Sequence, residues 1–175
     1  MTLPSPFAAA SDLAGAVKSR ETSSVELVEM YRARIATHNP ALNAIIYTDW
    51  DAALATAREC DAALARGEAI GPLHGVPVTI KEAFEVKGTP ATWGMPELRN
   101  NLASRDAAAV ARLRAAGAVI MGKTNVPRLL ADHQTFNAVY GRTNNPWDLA
   151  TGPGGSSGGA AVATFTTRTR RSSMA

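Results

Sequence analysis

Two stretches of the chain carry residue types with chemistry in them. The first is Thr151-Gly152-Pro153-Gly154-Gly155-Ser156-Ser157-Gly158-Gly159, which runs into Ala160-Ala161-Val162-Ala163. Glycines on both sides of the two serines let the backbone bend tightly and turn several N–H groups the same way. The apolar run that follows suits a helix entering a core, with the hydroxyls near its start. Such a geometry holds an anion, a ligand or a reactive serine; the plainer alternative is a solvated Gly/Ser linker. Its place between a Trp-containing segment and an Ala/Val segment argues against the linker. The second stretch is Val76-Pro77-Val78-Thr79-Ile80, closed by Lys81. Ligands gather at strand ends in helix-covered sheets. A shielded lysine there has its pKa lowered and can act as a base toward a hydroxyl. The alternative is a solvated surface charge, and the adjacent Glu82 would favour the ammonium form unless it points away.

Other glycine-rich signatures fit poorly. A phosphate loop needs a lysine after its last glycine, where Ala160 stands, and a GxGxxG fingerprint starting at Gly152 ends on Ser157. Ser157 satisfies GxSxG, but that elbow needs a strand just before it and a histidine after it. Pro153 and close glycines precede Ser157, and His38, His74 and His133 all lie upstream. His74 and His133 have no second histidine or cysteine at a metal spacing, so neither a zinc site nor a cofactor is expected.

The elements that must position these residues follow from periodicity and caps. Residues 8–18 read as a short helix. Ser23 with Glu26 forms a capping box for a second helix, with Val25, Leu27, Val28, Tyr31 and Ile35 on its packed face. Asn39-Pro40 is expected to end it, with His38 in the last turn. Residues 43–48 read as a strand, and Thr48 or Asp49 caps an Ala-rich helix running to about Arg66 and stopped by Gly67. Cys60 falls inside that helix as a small buried side chain. Pro77 places the 76–80 strand at an edge or starts it there. Residues 81–102 fit no period, and a loop of that length is functional or disordered, with Phe84 and Trp93 arguing for order. Ser104 is expected to cap a helix over 106–116 with Ala109, Leu113 and Ala116 on one face, and Gly117 to stop it. Residues 118–121 then form a buried strand that completes a strand–helix–strand crossover. The fold class is α/β, a mixed sheet covered by helices.

Composition limits the remaining possibilities. The apolar fraction of 46% over 175 residues is that of an ordinary globular chain. No apolar window is long enough for a membrane helix, and the N-terminal residues lack the basic region of a secretory signal. One cysteine fits a reducing, cytoplasmic setting. Lys plus Arg is 18 against 15 Asp plus Glu, but Arg168, Arg170 and Arg171 supply the whole excess. The body is therefore neutral, and nucleic acid is not an expected partner.

With those residues in place, the chain resembles the amidase signature family from about Ser24 to Ala163. The resemblance rests on Gly71-Pro72-Leu73-His74-Gly75-Val76-Pro77-Val78-Thr79-Ile80-Lys81, on Gly122-Lys123-Thr124-Asn125, and on Asn145-Pro146-Trp147 with Gly152 through Gly159. It implies an amidase-signature-like core, incomplete here, and hydrolysis of a small-molecule carboxylic amide to an acid and ammonia or an amine. The catalytic lysine of the family's Ser–cis-Ser–Lys triad falls on Lys81 and its cis-serine on Ser156. Ser157, Thr151, Gly154 and Gly155 take supporting places. Trp93 and Met95 are candidates for a substrate pocket or for core packing.

The nucleophilic serine of the family is expected about two dozen residues after Ser156 in a Gly-Gly-Ser turn, and the sequence to Ala175 contains no such turn. Ser172 and Ser173 have no glycines around them. The expected division is therefore 1–164, the N-terminal part of an amidase-signature domain, and 165–175, an atypical basic tail whose abrupt Thr/Arg/Ser composition is what a shifted reading frame or altered end would give. Comparing the coding DNA in its other two frames tests that reading. The isolated chain is expected to be inactive because the nucleophile is missing, and unpaired sheet edges would leave it poorly soluble or dependent on a second copy, as a homodimer, or on a complementing chain. The alternative is a non-catalytic assembly or binding component related to one of the subunits of an amidotransferase.

Overall fold

A computed structural model describes residues 4–68 and 71–165; the basic stretch expected over 165–175, with Ser172 and Ser173, falls outside the described residues beyond Phe165. Among the described residues five α-helices, α1 (Ala10–Lys18), α2 (Ser24–Leu42), α3 (Trp50–Ala65), α4 (Ala108–Ala115) and α5 (Gly158–Phe165), surround a sheet of β1 (Ile45–Thr48), β2 (Pro77–Lys81) and β3 (Val119–Thr124). A small hairpin, β4 (Phe136–Asn137) with β5 (Gly141–Arg142), stands beside it. The sheet order is β1-β3-β2, with β1 antiparallel and β2 parallel to β3. This is the mixed, helix-covered α/β sheet expected, with β2 on an edge and Pro77 as its first residue.

Local signals explain the helix boundaries. The Ser23 Oγ accepts the Glu26 N–H at 3.1 Å while Glu26 accepts the Ser23 N–H at 2.8 Å, the reciprocal box that starts α2. Asp61 of α3 takes two more N–H groups of that end, from Ser24 at 2.7 Å and Val25 at 3.2 Å. Contrary to expectation, Pro40 does not end α2, which continues to Leu42. In the last turn a proline forfeits a single backbone bond. Asn39 also bridges forward: its Oδ1 accepts from Ala44 and Ile45, and its Nδ2 donates to the Ile45 carbonyl. Ser104 caps nothing. α4 starts at Ala108 after Ala107, with no side-chain cap, and buries Val110 rather than Ala109. Asp106 spends its carboxylate on the Lys87 N–H and the Arg114 guanidinium instead.

The sheet divides two apolar layers. Val28, Ala53, Leu54, Ala57 and Cys60 pack from α2 and α3 against Val119 and Met121. Ile80, Val86 and Val110 pack on the side of α4. β3 runs to Thr124, three residues beyond the strand read from the sequence. The β2–β3 register shifts between Val78 and Thr79, so that Ile80 pairs with Lys123 and Lys81 with Thr124. Paired residues of parallel strands share a face. Lys123 therefore lies on the Ile80 side and Thr124 on the Lys81 side.

Close backbone contact at Gly122 holds the strands together. A Cβ added there would stand 2.2 Å from the Tyr47 carbonyl oxygen, whereas one added to Gly15, inside α1, would meet nothing within 4 Å. Gly122→Ala is expected to destabilise the chain by about 3 kcal/mol, and Gly15→Ala to stabilise it by about 0.5–1 kcal/mol. Urea midpoints of the two variants check this pair; equal and small shifts would contradict the close contact.

Candidate active site

Lys81 leaves the C-terminal end of β2, and its Nζ donates to Ser156 Oγ at 2.8 Å and to Ser157 Oγ at 2.9 Å. The two serines lie in the turn just before α5, and the Gly155–Ser156 peptide is cis. Lys81 and Ser156 are half-buried and Ser157 is exposed. Burial pulls the Lys81 ammonium below its ordinary value. A neutral amine at 2.8 Å from a hydroxyl can take that hydroxyl's proton, and the hydroxyl can in turn accept one from a third group.

Glu82, which adjoins Lys81 in sequence, does not act as its counter-ion. Its side chain is fully buried and accepts the Thr92 N–H at 2.5 Å, the Trp93 N–H at 3.0 Å and the Tyr140 hydroxyl at 3.3 Å. Burial, with the Glu82 charge adding to it, pushes the Tyr140 hydroxyl up to about 12. The irregular segment after Lys81 is thus tied down by a buried carboxylate, while Phe84 and Trp93 are 47% and 41% exposed.

A second lysine is buried nearby. Lys123 is fully enclosed and donates to the Pro90 carbonyl. Burial draws its ammonium down from 10.5 to about 8, against the opposing charges of Glu82 and Glu85. Between pH 8 and 10.5 the unfolded chain holds the proton more tightly, so this residue makes stability rise with pH across that window, while below pH 8 its burial cost is felt in full. Lys123→Met is expected to flatten the rise, as read by urea unfolding from about pH 7.5 to 9.5. An unchanged slope would contradict the assignment.

The other glycine-loop residues take different places. Thr151 does not meet Lys81: its hydroxyl donates to the Asp148 carbonyl at 3.0 Å, and its own carbonyl accepts the Asn145 N–H, closing an outer turn. Gly154 adopts φ +86, the left-handed region that favours glycine. Gly155 lies so close to a neighbouring segment that an added Cβ would stand 2.6 Å from the Asp132 carbonyl oxygen. The cavity of about 330 Å³ is bordered by Tyr31, His38, Pro77, Thr79 and Ala160, and not by Trp93 or Met95.

Several residues that hold the site were not singled out in the sequence. Thr135 and Asn137 are buried. Asn125, quoted above only as part of a motif, is fully enclosed; its Nδ2 donates to Gly141 O and Thr143 Oγ1, and its Oδ1 accepts from Asn137 Nδ2. These bonds tie the end of β3 to the β4–β5 hairpin. Among the described residues no group of three or more His, Cys, Asp or Glu side chains could hold a metal ion, and no helix is long and apolar enough to cross a membrane.

The family model described as Amidase matches residues 26–166. The glutamyl-tRNA(Gln) amidotransferase A-subunit of Acidothermus cellulolyticus is 45% identical over 152 residues, covering 87% of this chain and 30% of that protein. The solved peptide amidase of Stenotrophomonas maltophilia superposes with a TM-score of 0.83 at 35% identity, over 91% of this chain and 34% of its own. A fatty acid amide hydrolase superposes with a TM-score of 0.88 at 27% identity, over 95% of this chain and 30% of its own. The chain spans about a third of the length of the relatives it matches.

Proposed function

The chain belongs to the amidase signature family, and on that premise we propose that it contributes the base and the proton relay of an amide-hydrolysing site, with Lys81 as base and Ser156 as relay. The observation that carries this reading is the 2.8 Å contact between Lys81 Nζ and Ser156 Oγ. On this reading residues 1–164 belong to the N-terminal part of the catalytic domain, and 165–175 are a separate basic stretch of sequence. A third serine acts as nucleophile and comes from sequence equivalent to the remaining two-thirds of the relatives, on the same or a second polypeptide.

The proposed steps follow from that pair. The nucleophilic Oγ bonds to the amide carbonyl carbon, its proton passes to Ser156 Oγ, and the Ser156 proton passes to neutral Lys81 Nζ. Lys81 Nζ then gives its proton back to Ser156 Oγ, and Ser156 passes one to the departing nitrogen as the C–N bond breaks. Water then attacks the acyl ester and frees the acid. Backbone N–H groups next to the nucleophile hold the oxyanion. Ser157, the second hydroxyl on Lys81 at 2.9 Å, steadies the ammonium once it forms. Gly154 and Gly155 shape the turn, and Thr151 closes it from outside. The substrate is a small-molecule amide, and the single buried cysteine suits work in the cytoplasm.

The test compares amide turnover by residues 1–175 alone with turnover after adding a polypeptide that carries the remaining two-thirds of the Acidothermus relative. Turnover in the mixture and none in either part is the expected result. Turnover by residues 1–175 alone would overturn the assignment of the nucleophile. A second reading, a non-catalytic assembly component, draws on that relative being one part of an amidotransferase by name. A stable complex with another chain that hydrolyses no amide would favour it.

A further inference from the structure

The loop that carries Ser156 and Ser157 is gripped by a hydroxyl that the proposed proton path does not use. Thr135 is 1% exposed. Its Oγ1 donates to the Gly154 carbonyl at 2.8 Å and accepts the Gly158 N–H at 3.1 Å. One hydroxyl therefore fixes the chain on both sides of the serines. The loop has almost no side-chain bulk to pack, so hydrogen bonds and close backbone contact must hold it. That contact is present: an added Cβ on Gly155 would stand 2.9 Å from the His133 carbonyl carbon, and one on Gly158 2.2 Å from Thr135 Oγ1.

Thr135 is itself anchored. Its carbonyl accepts the Thr143 N–H at 2.9 Å, which extends the β4–β5 pairing. Asn137 of that hairpin donates to Asn125 Oδ1 at 2.9 Å and to the Val126 carbonyl at 2.7 Å, just beyond β3. β3 in turn pairs with β2, which presents Lys81. A continuous run of bonds thus connects the strand that carries the lysine to the hydroxyl that holds the serine loop.

We propose that Thr135 is a positioning residue whose buried hydroxyl sets the approach of Ser156 to Lys81; this rests on the reading of those two residues as relay and base. It touches no reacting atom. Its effect is to keep the Ser156 hydroxyl within hydrogen-bond reach of the amine, where a displaced loop would leave Lys81 to water.

The experiment uses the full 175-residue chain labelled with ¹³C at lysine Cε, and follows the Lys81 signal with pH. Thr135→Val removes the hydroxyl and keeps the branched shape; Thr135→Ser keeps the hydroxyl. The expected result is a Lys81 midpoint below that of an ordinary lysine, moved back toward it by about half a pH unit or more in Thr135→Val and restored in Thr135→Ser. A Thr135→Val chain that is less stable but titrates Lys81 as before would overturn the proposal. Ser156→Ala gives a separate check: if it leaves the Lys81 titration unmoved, the base–relay pairing itself fails, whatever Thr135 does. Should Thr135→Val not fold, amide exchange decides. A Gly158 N–H protected in the unmodified chain and in Thr135→Ser supports the grip, and exchange as fast as an exposed amide overturns it.

Discussion

Lys81→Ala is expected to lower kcat/KM for amide hydrolysis about 10³-fold, within the roughly 10²–10⁴ that a positioned base contributes, when residues 1–175 work with the polypeptide that completes the domain. The physical reason is that Lys81 is the titratable side chain bonded to Ser156, at 2.8 Å. Glu82 adjoins Lys81 in sequence but is committed to Thr92, Trp93 and Tyr140. Lys123 is committed to the Pro90 carbonyl. Lys81→Arg should be as damaging, because a guanidinium stays protonated at any working pH. The unmodified enzyme should gain rate as pH rises, since only neutral Lys81 accepts a proton. The midpoint should lie below the ordinary lysine range, because burial opposes the ammonium form. A rate that is flat across that range, or an active Lys81→Arg enzyme, would count against the base assignment.

Ser156→Ala is expected to cost a comparable factor, about 10²–10⁴ in kcat, with a smaller change in KM. It removes the hydroxyl at 2.8 Å from Lys81 but leaves the amine and the loop's glycines in place. On the proposed path the proton would then have no carrier between nucleophile and base. Residues that act as a unit lose their effects together. Lys81→Ala with Ser156→Ala should therefore be little worse than either single change, and a double variant whose losses multiply would show that the two act separately. Ser157→Ala should cost far less, about tenfold, since its hydroxyl supports Lys81 without lying on the path. Steady-state kinetics on these variants reads all of this.

The sequence made local features visible and long-range ones invisible, for reasons that can be named. The Ser23–Glu26 box involves residues three apart, and both of its bonds are present. Lys81 at a strand end followed from a short apolar run and the Pro77 start, and β2 has those features. Ser104 misled because a capping hydroxyl is a preference, and Asp106 tied the neighbouring segment to α4 by other bonds. Pro40 misled because its cost depends on position in the helix, and the last turn tolerates it. Glu82 stood open between counter-ion and bystander. Adjacent residues at a strand end point to opposite faces, which sends its carboxylate away from Lys81.

The turn holding Ser156 was legible as a glycine pattern, but the groups that fix it were not. Thr135 meets that loop 19 and 23 residues along the chain, at Gly154 and Gly158. No periodicity links them. Asn125 and Asn137 likewise form their pair only once β3 and the hairpin are side by side. Thr151 is the reverse case: it belongs to the glycine stretch in sequence, yet its bonds turn outward to Asn145 and Asp148.

The claim at the centre is that this chain holds base and relay while the nucleophile lies in the sequence that completes the domain. Labelling the two-part enzyme with a serine-reactive fluorophosphonate, followed by mass mapping of the modified peptide, tests it most directly. The account predicts one modified serine, located in the completing polypeptide, with labelling lost in Lys81→Ala and none on residues 1–175. A label on Ser156, on Ser157 or on any other serine of residues 1–175 would contradict it.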